Sequence, residues 1–390
     1  MKLACSFRHP ICVHGDRSVI SSDALGVLRE AEHAWEVAVD VIDLPAPDVD
    51  PTTGAYDIFL EPSIEGGSRT FASSRDAGSR FDRASAFTLL DARLTGAARA
   101  HAIARSVFRA ISFRVAPATD DATAEAETTA LADLVVPNGA QRDVAFEARP
   151  DRAIADGYPD APALTLPFTR GASFFYSWLD DTYANTPGGF TRALWALTPT
   201  ITATGATQWS GDPDTFDVLR TTFGGTSAAA LALRKVQDTN ISYGNFLLDF
   251  AIARAFDPLL PARRDWEIDW PDHPRSLAPS FPIAPTGSSY VLIRKAGAHP
   301  GSRLRVEATW EEHAAFRWSA LKLDARGIEI GRVPIPTPDK ATSAAITLDD
   351  LDAVSAILLV TVNAGDDAIE FDPDAKVWEP HGYAVTVAPL

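Results

Sequence analysis

The sequence predicts an α+β protein in two parts. The first is a small sheet with helices, mostly helical in its second half, and the second is an antiparallel β-sandwich. Three observations carry this expectation. Short apolar runs bounded by turn residues lie among amphipathic helices in residues 1–256. Prolines crowd residues 257–286. Seven short, partly alternating apolar runs follow in residues 287–390. These limits are the predicted domain boundaries, with 257–286 as a linker or surface arm.

The elements follow in order. "SSDALGVLREAEHAWEVAV" places Leu25, Leu28, Ala31 and Trp35 on one face, with Ser21 or Ser22 as cap, and predicts a helix. "AYDIFLEPS" and "SAFTLLDARL" read as strands, with "SIEGGSRTFASSRDAGSRFDR" between them as a polar Gly/Ser loop. A helix through "HAIARSVFRAISF" comes next, then "AEAETTALADLVV". Helices through "RGASFFYSWLDDTYA", "GGFTRALWAL", "DPDTFDVLRTTFG" and "YGNFLLDFAIARAF" are joined by Gly, Pro, Asn and Asp turns. Pro258, Pro261, Pro271, Pro274, Pro279, Pro282 and Pro285 forbid a continuous helix beyond them. The strands "SYVLIRKA", "RLRVEATW", "FRWSALKLD", "IEIGRVPI", "AAITL", "SAILLVTVN" and "YAVTVAP" predict the sandwich.

Composition bounds the function. The 390 residues are 46% hydrophobic and 22% charged, enough for a sizeable core. No run of 18 apolar residues occurs, so no transmembrane segment is expected. A formal net charge of −17 repels phosphate backbones and argues against nucleic acid as a partner. Cys5 and Cys12, in "CSFRHPICVHG", read as a disulfide in an oxidising compartment. Two alternatives stay open: a zinc site with His9 and His14, at a spacing unlike common structural zinc modules, and lipidation of Cys5 after "LAC". Met1 is the only methionine, as in a mature exported chain given a new start residue, so an extracytoplasmic location is expected.

"RSVFR" has the spacing that zinc peptidases fill with H-E-x-x-H, where two histidines one turn apart reach one ion and the glutamate activates its water. Taken with "YDIFL" and "SAFTLLD" before it and "AEAETTALAD" and "GASFFYSWLDDTY" after it, the order of elements resembles the zincin metallopeptidases of the glutamate-ligand type over residues 1–256. The resemblance implies a sheet strand ahead of the motif helix and a third ligand on a later helix. It places Arg105 and Arg109 at the two histidines, Ser106 at the glutamate and Glu127 at the third ligand. A β-sandwich after such a domain resembles exported bacterial relatives. Arginine has no lone pair for a metal, and serine is no base at neutral pH. The resemblance therefore implies a pseudoenzyme, with no catalytic residue, metal or cofactor. Its expected role is binding a peptide, protein or surface polymer, for example by strand addition to an edge formed by "SAFTLLD". If the arginines point inward they need an acidic partner, and Glu127 is expected to supply it, with Glu125 and Asp133 nearby in sequence. An active hydrolase with an unrecognised site and a structural part of a surface assembly are the competing readings.

Other candidates are weaker. His101 lacks a second histidine one turn on, and reads as a structural residue. "GTSAAA" within Phe223–Arg234 resembles a subtilisin-type serine motif but lacks the upstream aspartate and glycine-framed histidine, so a helix start is the plainer reading. Asp366, Asp367, Asp372 and Asp374 are oxygen-rich but fit no EF-hand. No Walker A loop or Rossmann glycine signature occurs.

Overall fold

The computed structural model describes residues 2–16, 21–76, 79, 81–137, 144–157, 162–198, 213–224, 241–259, 261–295, 303–338, 340–366 and 378–390. The protein is mixed α+β and divides into two compact units. Unit 1 comprises Met1–Asp143 and Gly157–Thr239, and unit 2 comprises Val144–Asp156 and Asn240–Leu390. The division thus falls near residue 240 rather than 256, and a short early segment belongs to the later unit.

Unit 1 is built on one five-stranded sheet. β1 (Lys2–Cys5) and β2 (Ile11–His14) form an antiparallel hairpin, and Cys5 and Cys12 are register partners joined by a disulfide. The bond leaves neither thiolate for zinc or a lipid, so both alternatives give way to the disulfide. β3 (Tyr56–Glu61) and β5 (Ala84–Asp91) add parallel strands, and β4 (Ser68–Arg75) closes the far edge antiparallel to β5. The order is β1-β2-β3-β5-β4. Two expectations are corrected here. The Gly/Ser stretch is not all loop, because "SRTFASSR" is β4. The "SAFTLLD" strand is interior, not an edge, which is why it is apolar on both faces.

α1 (Ser21–Glu36) buries Ala24, Val27, Leu28, Ala31 and Trp35 at helical spacing, while Leu25 is exposed instead of facing the core. α2 (Gly96–Val115) packs beside it against the sheet, with Val107, Phe108 and Ile111 in the same core as Val13, Ile58 and Leu90. α3 (Asp121–Val135) lies on α2 and is capped by the Asp120 carboxylate, which accepts from the Thr123 amide at 2.9 Å. α5 (Pro162–Gly171), α6 (Ser173–Tyr183), α7 (Gly189–Leu197) and α8 (Thr215–Gly224) follow among the described residues of the unit. Gly188 before α7 is left-handed, with φ +70°.

Unit 2 holds α4 (Ala145–Ala148), α9 (Tyr243–Ala255) and two sheets. One sheet has the order β11-β10-β13-β8-β6 and the other β12-β9-β14-β7. Their strands are β6 (Trp266–Asp269), β7 (Arg275–Leu277), β8 (Ser288–Arg294), β9 (Leu304–Trp310), β10 (Ala314–Leu323), β11 (Glu329–Ile335), β12 (Ser343–Leu348), β13 (Ala356–Asp366) and β14 (Tyr383–Pro389). All pairings are antiparallel except β6 with β8. One core joins the sheets, with Val291, Ile293 and Phe316 from the first and Val306, Val385 and Val387 from the second. β9 alternates buried and exposed residues, as a strand wet on one face does. β13 does not alternate, because α9 covers the second face of its sheet.

The proline-rich stretch is not a free linker, since β6 and β7 lie within it and pair into the two sheets. The 144–156 segment is tied into the same unit. The Pro150 and Asp151 carbonyls accept from the Ser288 and Ala284 amides at 2.7 and 2.8 Å, and the Thr286 hydroxyl accepts from the Ile154 amide at 2.9 Å. Gly287 is required at this crossing, because a Cβ there would stand 2.4 Å from the Asp151 carbonyl oxygen.

Candidate functional site

The site of interest is a cleft of about 880 Å³ in unit 1, between β4, the side of α2 that carries Arg105 and Arg109, the first turns of α3, and α5. Arg105, Ser106 and Arg109 all line it, one helical turn separating the two arginines. Their acidic partners are also one turn apart, on α3. Arg105 Nη1 donates to Glu125 Oε1, and Arg109 Nη2 donates to Asp121 Oδ1 at 2.8 Å. The pairing runs antiparallel, with the later residue of α2 meeting the earlier residue of α3.

Arg105 is buried, and its second nitrogen donates to the Gly66 carbonyl at 3.1 Å and to the Ser68 hydroxyl at 2.9 Å. Arg170, from α5, donates to the same Gly66 carbonyl at 2.6 Å and to Glu125 at 2.9 Å. One carboxylate and one carbonyl therefore serve two guanidinium groups. Burial and the neighbouring Arg170 oppose the charge on Arg105, Glu125 supports it, and the balance brings its pKa down to about 10, still protonated at neutral pH. Burial also opposes ionisation of Glu125, but the attraction of Arg105 and Arg170 overrides it and holds its carboxyl below the ordinary value.

β4 supplies the cleft with a sheet edge. Gly67 O accepts from the Asp91 amide, so by antiparallel alternation residues 66, 68, 70 and 72 direct their backbone groups outward. The outward carbonyls of Gly66 and Ser68 are covered by Arg105 and Arg170. Those of Thr70 and Ala72 face the cleft, and among the described residues no strand pairs with them. Arg69 stands exposed beside them, its guanidinium 5.2 Å from the Phe71 ring centre, and Glu65 is exposed at the other end.

The remaining expected residues fall elsewhere. Glu127 does not pair with either arginine. Its carboxyl is buried on the opposite side of α3, where it accepts from Trp195 Nε1 and Thr215 Oγ1, both at 2.8 Å. The reason is rotational, because two residues turn a helix by about 200°. Burial pushes Glu127 up to about 7 against these two hydrogen bonds. Asp214, just before α8, is likewise raised to about 7 by burial. Ser106 Oγ donates to the Ala102 carbonyl at 2.8 Å, an ordinary helix back-bond that uses its proton. His101 is buried with Nε2 3.0 Å from Asp133, a structural pairing that also takes up Asp133.

The donor set does not suit a metal ion. Two guanidinium groups offer no lone pairs, and Glu125 Oε1 is engaged by both of them. Among the described residues, no three His, Cys, Asp or Glu side chains converge on one point. The "GTSAAA" segment and Asp367, Asp372 and Asp374 lie outside the described residues. The sequence reading passed over β4, Arg170 and Asp121. The signal available for Asp121 and Glu125 was their i, i+4 spacing, which matches that of Arg105 and Arg109.

Among the described residues, no helix is long and apolar enough to cross a membrane. No protein-family profile matches the chain, and no curated protein matches it. Solved structures align only over part of it. The periplasmic inhibitor of g-type lysozyme from Aeromonas hydrophila shares 12% identity over 33% of this chain and 100% of its own, at a TM-score of 0.21. The active domain of tailspike protein 4 from bacteriophage CBA120 shares 15% over 30% of this chain and 15% of its own, at 0.20. A surface-associated copper-binding protein from Methylomicrobium album BG8 shares 8% over 32% of this chain and 96% of its own, at 0.21. Likenesses at this level define neither fold nor activity.

Proposed function

We propose that the protein is a non-catalytic, zincin-like binding protein that takes a short extended peptide segment into the unit 1 cleft. In this reading unit 2 is a β-sandwich and the chain works in an oxidising, extracytoplasmic setting, in keeping with Cys5–Cys12. The observation that carries the reading is the juxtaposition of β4 and α2. An antiparallel edge strand with outward backbone groups at Thr70 and Ala72 runs along a cleft whose floor is Arg105, Ser106 and Arg109. A peptide strand can pair with that edge by backbone hydrogen bonds alone. The positions of the two histidines and of the general base carry Arg105, Arg109 and Ser106, which neither hold zinc nor activate water, and Glu127 is turned away to Trp195 and Thr215, so binding without cleavage is the activity the geometry favours.

The available edge is short, because Arg105 and Arg170 cover its carbonyls at 66 and 68. Recognition is therefore expected over about three or four ligand residues. The test is Ala72→Pro. Ala72 is exposed and its amide points away from β5, so proline removes a ligand-facing donor without breaking a ladder bond. Heptapeptides selected on the full chain should bind this variant at least about tenfold more weakly, one lost hydrogen bond plus a blocked approach. Unchanged affinity would refute edge pairing.

A further inference from the structure

We propose, resting on the peptide-binding reading above, that the ligand segment carries a carboxylate that docks on Arg109, and that Asp121 occupies this position until the ligand arrives. The charge pattern of the cleft points to it. Three guanidinium groups, Arg105, Arg109 and Arg170, share two carboxylates, Glu125 and Asp121. Glu125 is spent on Arg105 and Arg170 together. Arg109 makes its ion pair with Asp121, with only longer-range attraction from Glu125.

That remaining pair is lopsided. The Arg109 side chain is only 11% exposed, while that of Asp121 is 94% exposed. A largely desolvated guanidinium gains most from an anion that excludes water, and an exposed aspartate in the first turn of α3 gives it little. The guanidinium is otherwise well fixed. It lies 4.4 Å from the Phe113 ring centre, and Nη1 donates to Ser112 Oγ at 3.2 Å, so it is held facing the cleft. A ligand carboxylate arriving from the cleft can replace Asp121 at Nη2 and release that side chain to water, with no change in the number of ion pairs. Arg69, exposed at the β4 edge and without a carboxylate partner among the described residues, adds attraction for the same class of ligand. Glu65 at the opposite end opposes it, which orients an acidic residue towards the Arg109 end. The inferred ligand is an extended peptide with an aspartate, a glutamate or a terminal carboxylate, at a protein whose overall charge is −17 and would otherwise repel it.

The experiment pans random heptapeptides on the immobilised full chain. It then compares each enriched acidic peptide with its Asn or Gln counterpart by calorimetry on the wild type, on Arg109→Gln and on Asp121→Asn. We expect acidic peptides to dominate and to bind at least about tenfold more tightly than their amides. That preference should vanish in Arg109→Gln. Asp121→Asn should tighten acidic peptides several-fold, because it removes the competitor, whereas a merely structural Asp121 would weaken or leave them. The peptide–amide comparison uses unaltered protein, so it stands even if Arg109→Gln folds poorly. Enrichment of peptides that need the β4 edge but show no acid preference would overturn the carboxylate inference and leave the cleft reading intact. Acid preference unaffected by Arg109→Gln would also overturn it. No enrichment at all would sink the cleft reading and the inference together.

Discussion

Glu125 is the residue on which the interior of the cleft depends. Replacing it with glutamine keeps its size but leaves Arg105 and Arg170 without a counter-charge in a mostly buried place. Loss of one partner of a buried pair costs about 3–5 kcal/mol, and the partial exposure of Glu125 brings the expectation for Glu125→Gln to about 2–3 kcal/mol, read as a lowered urea midpoint at unchanged slope. Glu127 behaves in the opposite way. Its folded pKa of about 7 lies above its ordinary 4.5, so the folded state binds the extra proton. The stability this gives is complete below 4.5 and is lost as pH rises through about 7. Asp214 acts in the same direction, from 3.8 to about 7. Stability should therefore fall between pH 5 and 8, at up to about 1.4 kcal/mol per pH unit for each carboxyl. Glu127→Gln, whose amide oxygen can still accept from Trp195 while its N–H donates to the Thr215 hydroxyl, should flatten the decline when chemical denaturation is repeated across that range. An unchanged slope would mean that Glu127 is ionised in the folded protein.

The same contrast between Glu125 and Glu127 shows what could be read from the sequence at the level of elements. Most of the described helices and the seven described strands of residues 287–390 were legible from periodicity, because they bury faces that the pattern announces, whereas α4 and the Pro-containing α5 were not. The helix carrying Arg105 and Arg109 was legible for the same reason. Its partner was misassigned by half a turn of α3, since a spacing borrowed from a family motif says nothing about which face of the next helix turns inward. β4 escaped notice because an edge strand is half wet, and Ser, Arg and Ala are as common in loops as on such an edge. β1 and β2 were too short to separate from a loop, and the antiparallel ladder that aligns Cys5 with Cys12 shows them to be a hairpin. That bond closes a small loop and should contribute about 2–3 kcal/mol by the chain-entropy argument. The Cys5→Ser/Cys12→Ser double variant should unfold correspondingly earlier in urea, and the wild type should show no reactive thiol under denaturing, non-reducing conditions.

Across the whole molecule, the division into units was the least legible feature. A segment that precedes much of unit 1 in sequence belongs to unit 2, held by contacts too distant in sequence to foresee. Arg254 is the centre of them. It is 1% exposed, donates to Glu147 at 2.8 Å and to the Phe146 carbonyl, and lies 3.7 Å from the Phe146 ring centre. Arg254→Ala removes this partner from the buried Glu147 and should destabilise unit 2 by about 3–5 kcal/mol. Hydrogen exchange should show the loss in α4, α9 and the sheets of that unit first. In unit 1, the proposed ligand strand pairs with β4 beside Arg105 and Arg109. The most direct measurement is residue-resolved amide exchange of the full chain with and without a saturating heptapeptide selected on it. The account predicts that the outward amides of Thr70 and Ala72 slow by at least about tenfold while the β5 amides, already paired, change little. Protection elsewhere with β4 unchanged would contradict it.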